Sequence, residues 1–150
     1  MDFQTDELTQ QVSQTARDFA NQHIRPYVMK WDESQEFPLH VFKEMGKLGL
    51  MGILIPESYG GAGLGYLEYV AVIQEIAKVC GSIGLSLAAH SSLCSGHILN
   101  FGNEEQKKNW LSRLATGEWL GAWGLTEANT GSDAANMKTT AVRDGDHWII

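Results

Sequence analysis

The 150-residue chain is 43% apolar and 19% charged, a composition that can bury the core of one ordinary domain, or of one domain and part of another. Its formal net charge of −7 argues against a nucleic-acid partner, whose phosphates would repel it. No stretch approaches the ~18 consecutive apolar residues that a membrane-spanning helix needs.

The polar N-terminus lacks the character of a leader peptide. Cys80 and Cys94 lie too far apart for metal or redox spacing, so buried free thiols in a reducing, cytoplasmic setting are expected. Thr5 is placed to cap a first helix, with Asp6 and Glu7 suited to its N-terminal dipole. Leu8, Val12, Ala16, Phe19 and Ile24 form the apolar stripe of that helix. Pro26 marks its end, because the residue before a proline is pushed out of helical space. Residues 31–37 read as a connector. Pro38 opens a second helix with Val41, Phe42, Met45 and Leu48 turned inward, and Gly49 closes it.

Ile53-Leu54-Ile55 is too short an apolar run to assign. The glycine-rich segment 59–65 is turn-dense, and it lacks the Lys-Ser/Thr ending of a nucleotide-binding P-loop. A third helix spans 66–80, with Leu67, Val70, Ala71, Ile73, Ile76 and Ala77 on its apolar side and Gly81 at its end. The stretch from Ile83 to Phe101 has almost no charged face, which predicts a helix buried all round through the middle of the domain. Ser86, Leu87, His90 and Cys94 share one of its faces. His90 fits a ligand-facing position and an ordinary core histidine equally well. His90 and His97 are two turns apart, ~10 Å along the axis, too far to share one metal ion. No metal site is predicted.

Asn103 with Gln106 resembles a capping box, Trp110, Leu111 and Leu114 supply an apolar face, and Gly117 ends that helix. From Trp119 the character changes. Residues 119–125, 137–143 and 147–150 read as strands, with Asp144-Gly145 as a hairpin turn. Helices first and strands late divide the chain into an all-α domain, 1–118, and the beginning of a β domain, 119–150. Finishing on the apolar strand 147–150 would leave an open edge, so the sequence reads as the front of a longer protein.

The stretch from Gly121 to Asp133 holds the most chemistry. An apolar strand opens there into a small, polar, turn-rich loop that presents N–H groups and hydroxyls. Such an end suits the polar edge of a flat cofactor or a phosphate, and it also fits a plain hairpin loop. Leu125-Thr126-Glu127 followed by Gly131-Ser132-Asp133 resembles the flavin-binding signature of the acyl-CoA dehydrogenase family. Ile55-Pro56-Glu57-Ser58-Tyr59-Gly60-Gly61-Ala62-Gly63 resembles the helix-connecting loop of the same family. The similarity runs in order over nearly the whole chain. One departure is Ala128, where the family usually has proline.

The resemblance implies a mainly α fold: an N-terminal all-α domain followed by the first strands of a β-barrel-like domain, with the C-terminal part missing. It implies FAD as cofactor, α,β-dehydrogenation of an acyl-CoA thioester, an electron-transfer flavoprotein as acceptor, and a homotetramer. It places Trp123, Gly124, Leu125, Thr126, Gly131 and Ser132 at the flavin, with Ser132 bonding the diphosphate or the thioester-bearing arm of the substrate. It places Ser86, Leu87, His90 and Cys94 along the acyl tunnel. Glu127 is structural in the family, and the proton-abstracting glutamate comes from a C-terminal helical domain, beyond Ile150. The segment 85–94 resembles the short- and branched-chain members. Rival readings are an acyl-CoA oxidase or a flavin monooxygenase on the same scaffold, or a non-catalytic chain that binds acyl-CoA or a partner.

Overall fold

The computed structural model describes residues 5–150. Helix α1 (Glu7–Phe19) is capped by Asp6, one residue later than predicted: Asp6 Oδ1 accepts the Thr9 N–H at 2.7 Å. A carboxylate at that position reaches the third helical N–H, one of the donors a helix start leaves unpaired. Thr5 contributes its carbonyl, which accepts from Gln10 Nε2 at 2.8 Å. After α1 the chain winds through a π-helical segment, Ala20–Ile24, and a 3₁₀ turn, Arg25–Tyr27, that contains Pro26.

The predicted connector 31–37 is largely helical. Helix α2 (Val28–Ser34) runs into it and stops at Gln35, which takes a left-handed conformation at φ 55°. The reason is Trp31, which is buried between the rings of Tyr27 and His40. Burying an indole inside a helix is worth more than the connector that polar Asp32-Glu33-Ser34 would favour alone. Helix α3 (Leu39–Lys47) buries Val41, Phe42 and Met45 as predicted and leaves Leu48 exposed.

The segment that follows is a closed, backbone-bonded unit. Ala62 N–H donates to the Gly52 carbonyl at 2.9 Å, Gly63 N–H to Ile55 at 2.9 Å, and Leu64 N–H to Ile53 at 2.8 Å. Ile53 and Ile55 are thereby held in the core. The glycines of this loop let its two arms approach this closely.

Helix α4 (Tyr66–Val79) has the predicted extent but a different buried face. Glu68, Val72, Glu75 and Ile76 point inward, whereas Leu67 is 71% and Val70 57% exposed. Packing against α1 explains the rotation. Thr9 Oγ1 donates to Glu68 Oε1 at 2.6 Å, and the other Glu68 oxygen accepts the Gly65 N–H at 2.9 Å. Arg17 donates to both Glu75 oxygens, at 3.0 and 3.2 Å, and Lys78 adds a third bond at 2.7 Å. With its lone pairs occupied, a carboxylate can be buried where hydropathy alone would not put it.

The Arg17 guanidinium holds the Glu75 carboxyl at about 2, against an ordinary 4.5. The folded value lies below the unfolded one, so the pair's contribution is complete above 4.5 and is lost as pH falls from 4.5 toward 2. Arg17→Met should therefore move the acid-unfolding midpoint upward in pH, as followed by far-ultraviolet circular dichroism. An unchanged midpoint would show that the pair does not couple to folding.

Cys80, in extended conformation at φ −146° and ψ 109°, ends α4, and Gly81 starts the next helix instead of closing the last. Helix α5 (Gly81–Ala88), a π-helical segment (Ala89–Ser95) and helix α6 (Gly96–Phe101) form one unbroken rod over the predicted span. Burial all round is not found. Ile83, Leu87, His90, Ser91 and Ser95 are buried, but Leu85 is 72%, Leu93 40% and Phe101 80% exposed. The described residues pack against only one side of the rod.

The capping box at Asn103 is present, with reciprocal bonds to Gln106 at 2.9 Å each. It starts α7 (Glu104–Gln106), a π-helical segment (Lys107–Leu111) and α8 (Ser112–Ala115), which bury Leu111 and Leu114 and leave Trp110 exposed. Among the described residues no helix is long and apolar enough to cross a membrane.

Beyond α8 the only strands among the described residues are β1 (Val142–Asp144) and β2 (His147–Ile149), an antiparallel hairpin with Val142 opposite Ile149. The predicted strand 119–125 is not a strand here, and 137–143 is one only at its last two residues. A strand exists through its ladder partner, and the Gly121 N–H is bonded to a histidine side chain instead. The chain as a whole is mainly helical, as expected.

Candidate functional site

The segment from Gly121 to Trp123 is seated on the long rod. His90 Nδ1 accepts the Gly121 N–H at 2.9 Å. A Cβ on Gly121 would lie 2.6 Å from Cys94 Sγ, 2.8 Å from Cys94 Cβ and 3.3 Å from His90 Nδ1. Only glycine lets the backbone lie this close to the helix. One turn further along, the His97 ring packs on Trp123 with centroids 4.0 Å apart, and Phe101 packs on His97 at 5.5 Å. His90, Cys94 and His97 therefore present one face, and that face holds a strap rather than an open channel.

His90 is fully buried. Burial pushes its ring down to about 4, partly opposed by the nearby carbonyls of Met51 and Leu114. Neither carbonyl meets Nε2 in hydrogen-bond geometry. Since Nδ1 is an acceptor, the ring is neutral with its proton on Nε2. Burial pushes the Cys94 thiol up, with partial opposition from the Ala122 backbone N–H. Both cysteines are free thiols.

Past Trp123 the chain becomes open. Trp123 keeps 37% exposure, Leu125 is half-buried, and Thr126, Gly131 and Ser132 are exposed. A Cβ at Gly124 or Gly131 would meet nothing within 4 Å, so the backbone there is free to be approached. Glu127 organises the loop. Its backbone pairs with Thr130 in both directions, at 2.9 and 3.2 Å, and its carboxylate accepts the N–H groups of Lys138 at 2.8 Å and Thr139 at 3.1 Å. The buried Thr130 hydroxyl donates to the Asn136 carbonyl at 3.0 Å. Those bonds hold the Glu127 carboxyl below the usual carboxylate range. A carboxylate kept ionised and occupied by the backbone is an anchor for the loop. Glu127→Ala should raise amide hydrogen exchange severalfold at Lys138 and Thr139 and leave the helices unaffected. Unchanged exchange at those two amides would contradict the anchoring role.

Of the four residues placed on the acyl tunnel, His90 and Cys94 meet the strap, Leu87 lies in the core, and the Ser86 hydroxyl bonds the Ser82 carbonyl within its own helix. Two surface cavities of about 390 and 270 Å³ border the rod, one beside Trp31 and Ile83, the other beside Tyr66 and Leu99. Neither contains any of these four residues. The residues missed at the sequence level are Gly121 and His97. The spacing of His97 from His90 placed both on one helix face, but nothing in the sequence linked that face to Gly121.

The chain was compared with known proteins. Residues 6–118 match the family model described as acyl-CoA dehydrogenase, N-terminal domain. The short-chain-specific acyl-CoA dehydrogenase of Clostridium acetobutylicum is 44% identical over 150 residues, 100% of this chain and 40% of that protein. The mitochondrial isovaleryl-CoA dehydrogenase of Bos taurus is 43% identical over 146 residues, 96% of this chain and 34% of that protein. Among solved structures, butyryl-CoA dehydrogenase from Megasphaera elsdenii superposes with a TM-score of 0.89 at 35% identity, covering 97% of this chain and 39% of that one. A glutaryl-CoA dehydrogenase from Mycobacterium smegmatis in complex with FADH2 superposes with a TM-score of 0.88 at 35% identity, covering 96% and 37%. A structure described as electron transferring flavoprotein of Acidaminococcus fermentans superposes with a TM-score of 0.94 at 40% identity, covering 99% and 39%. The chain thus spans well under half the length of these relatives.

Proposed function

Because this chain belongs to the acyl-CoA dehydrogenase family, we propose that the protein carrying it oxidises an acyl-CoA thioester between its α and β carbons, with FAD as cofactor. Residues 1–118 form its N-terminal helical domain in this reading, and 119–150 begin its β domain. The observation that carries the proposal is the strap: a segment clamped to a buried helix at Gly121 and opening directly into the exposed residues Trp123 to Ser132. A flat heteroaromatic ring with a polar edge fits that arrangement. Trp123 and Leu125 offer apolar surface, and the Thr126 hydroxyl with neighbouring N–H groups offers donors. Gly124 and Gly131 allow close backbone approach, and Ser132 is open to bond the diphosphate or the thioester-bearing arm of the substrate.

Bound FAD supplies the acceptor for the hydride that leaves the β carbon. The chain's own contribution is to orient and polarise: donors aimed at the ring's polar edge favour negative charge developing there. Glu127, occupied by two backbone N–H groups, keeps the loop in shape and is not the base. The base that takes the α proton belongs to sequence beyond Ile150. Electrons pass on to an electron-transfer flavoprotein, and the working form is a cytoplasmic homotetramer. The relatives named for short and branched acyl groups favour a short- or branched-chain substrate.

The full-length protein, assayed anaerobically with electron-transfer flavoprotein, should oxidise butyryl-CoA or isovaleryl-CoA to the enoyl thioester. Peroxide formed stoichiometrically in air without that acceptor would identify an oxidase instead. Absence of turnover with every acyl-CoA tried would point to a binding chain.

A further inference from the structure

We propose that His90 is the positioning residue of the flavin site: its neutral imidazole fixes the strap at Gly121 and so sets where Trp123 to Thr126 stand. The inference deepens the flavin reading above and rests on it. Three features converge on this residue. His90 is fully buried, so it cannot meet a substrate from solvent as a tunnel-lining side chain would. Its Nδ1 is spent on a backbone donor 31 residues away, at 2.9 Å, and this is the side-chain bond that ties the rod to the start of the strap. It also lies in the π-helical segment Ala89–Ser95, and such widenings of a helix occur mostly where function requires a side chain to be re-aimed.

The strap has few other attachments at this point. Cys94 supports it by contact with Gly121, and His97 stacks on Trp123 two residues later. Stacking fixes the plane of the indole, but it does not fix how far along the rod the backbone lies. The Gly121 N–H to Nδ1 bond does, because a hydrogen bond weakens steeply with both length and angle. Two residues past Trp123, the chain reaches Leu125 and Thr126. A displacement at Gly121 is carried directly into the donors of the site, and misplacement on the ångström scale there is costly to catalysis.

The test uses the full-length holoprotein and two substitutions. His90→Asn keeps an acceptor, Oδ1, near the position of Nδ1, whereas His90→Leu fills the space without one. Amide hydrogen exchange at Gly121 is read by NMR or by fragmentation mass spectrometry, alongside the flavin absorption spectrum and KM and kcat. In His90→Leu, exchange at Gly121 should rise about tenfold, the scale of one lost hydrogen bond. The flavin band should shift, and kcat should fall by more than KM changes. His90→Asn should restore all three toward wild type. The proposal is overturned if His90→Leu leaves Gly121 exchange unchanged, or if Asn and Leu behave alike. It is also overturned if Gly121 exchange rises while the flavin band and kcat stay as in wild type. A wild-type protein that binds no flavin would instead refute the flavin reading, and the exchange readout at Gly121 does not depend on it.

Discussion

Gly121→Val should give a protein that folds but no longer retains FAD. The first added carbon already falls 2.6 Å from Cys94 Sγ and 2.8 Å from Cys94 Cβ, so the strap has to lift off the rod. Forcing extra carbons into such a contact costs about 1–3 kcal/mol, and the bond to His90 is lost with it. Most of that cost falls on the site, because the core residues of α1, α3 and α4 do not touch the strap. The expectation is a thermal midpoint lowered by a few degrees and FAD affinity weakened by more than tenfold, measured by fluorescence titration of the apoprotein. Cys94→Ala should rescue Gly121→Ala only in part, since Cys94 Cβ remains at 2.8 Å when the sulfur is gone. Full FAD affinity in Gly121→Val would mean that the strap does not define the cofactor site.

Gly61→Ala acts at the other motif and should be the more damaging to folding. A methyl group there would stand 2.0 Å from the Ile55 carbonyl oxygen and 2.5 Å from Ile55 Cβ. Main chain cannot step aside as a side-chain tip can, so the paired arms around Ile53 and Ile55 would have to separate. Both isoleucines would lose burial, at roughly 1.5–3 kcal/mol each when fully exposed. A loss of at least about 3 kcal/mol of stability is expected, read from urea denaturation of the full-length protein. Unchanged stability would show that the loop is a mere connector. Nothing like the rescue available at Cys94 exists at this position.

These two glycines mark how far the sequence could be read. The order and type of the helices were legible because their signals are local: the stripe Ala16–Phe19, the inward trio Val41, Phe42 and Met45, and the Asn103–Gln106 box all act within a turn or two. Where the reading failed, a partner distant in sequence decided the outcome. The buried face of α4 was misplaced because hydropathy ranks Leu67 and Val70 above Glu68 and Glu75. Thr9 and Arg17, 59 and 58 residues earlier, reverse that order by bonding both carboxylates. The indole of Trp31 similarly drew residues assigned to a connector into α2. Asp6 displaced Thr5 as cap for a smaller reason, since either residue could serve and the choice rests on one residue of register.

The strand expected at 119–125 shows a different limit. Its alternation of aromatic and small residues matches a pleated strand, but pairing requires a neighbour, and within the described residues Gly121 finds His90 instead. The small residues that resembled strand punctuation are there because the backbone lies against a helix. The rod Gly81–Phe101 was legible as a helix and misread in its surroundings. Its lack of charge predicted cover on every side, whereas Leu85, Leu93 and Phe101 stand exposed in this length of chain. The motif residues Trp123 to Ser132 were found by resemblance to a family, and what holds them in place became visible only in three dimensions.

The most direct test of the central claim is anaerobic titration of the full-length protein with a short acyl-CoA, followed by visible absorption. The account predicts a yellow protein whose flavin band bleaches on addition of butyryl-CoA or isovaleryl-CoA and returns when electron-transfer flavoprotein is added. A colourless protein, or a flavin band that no acyl-CoA bleaches, would contradict it.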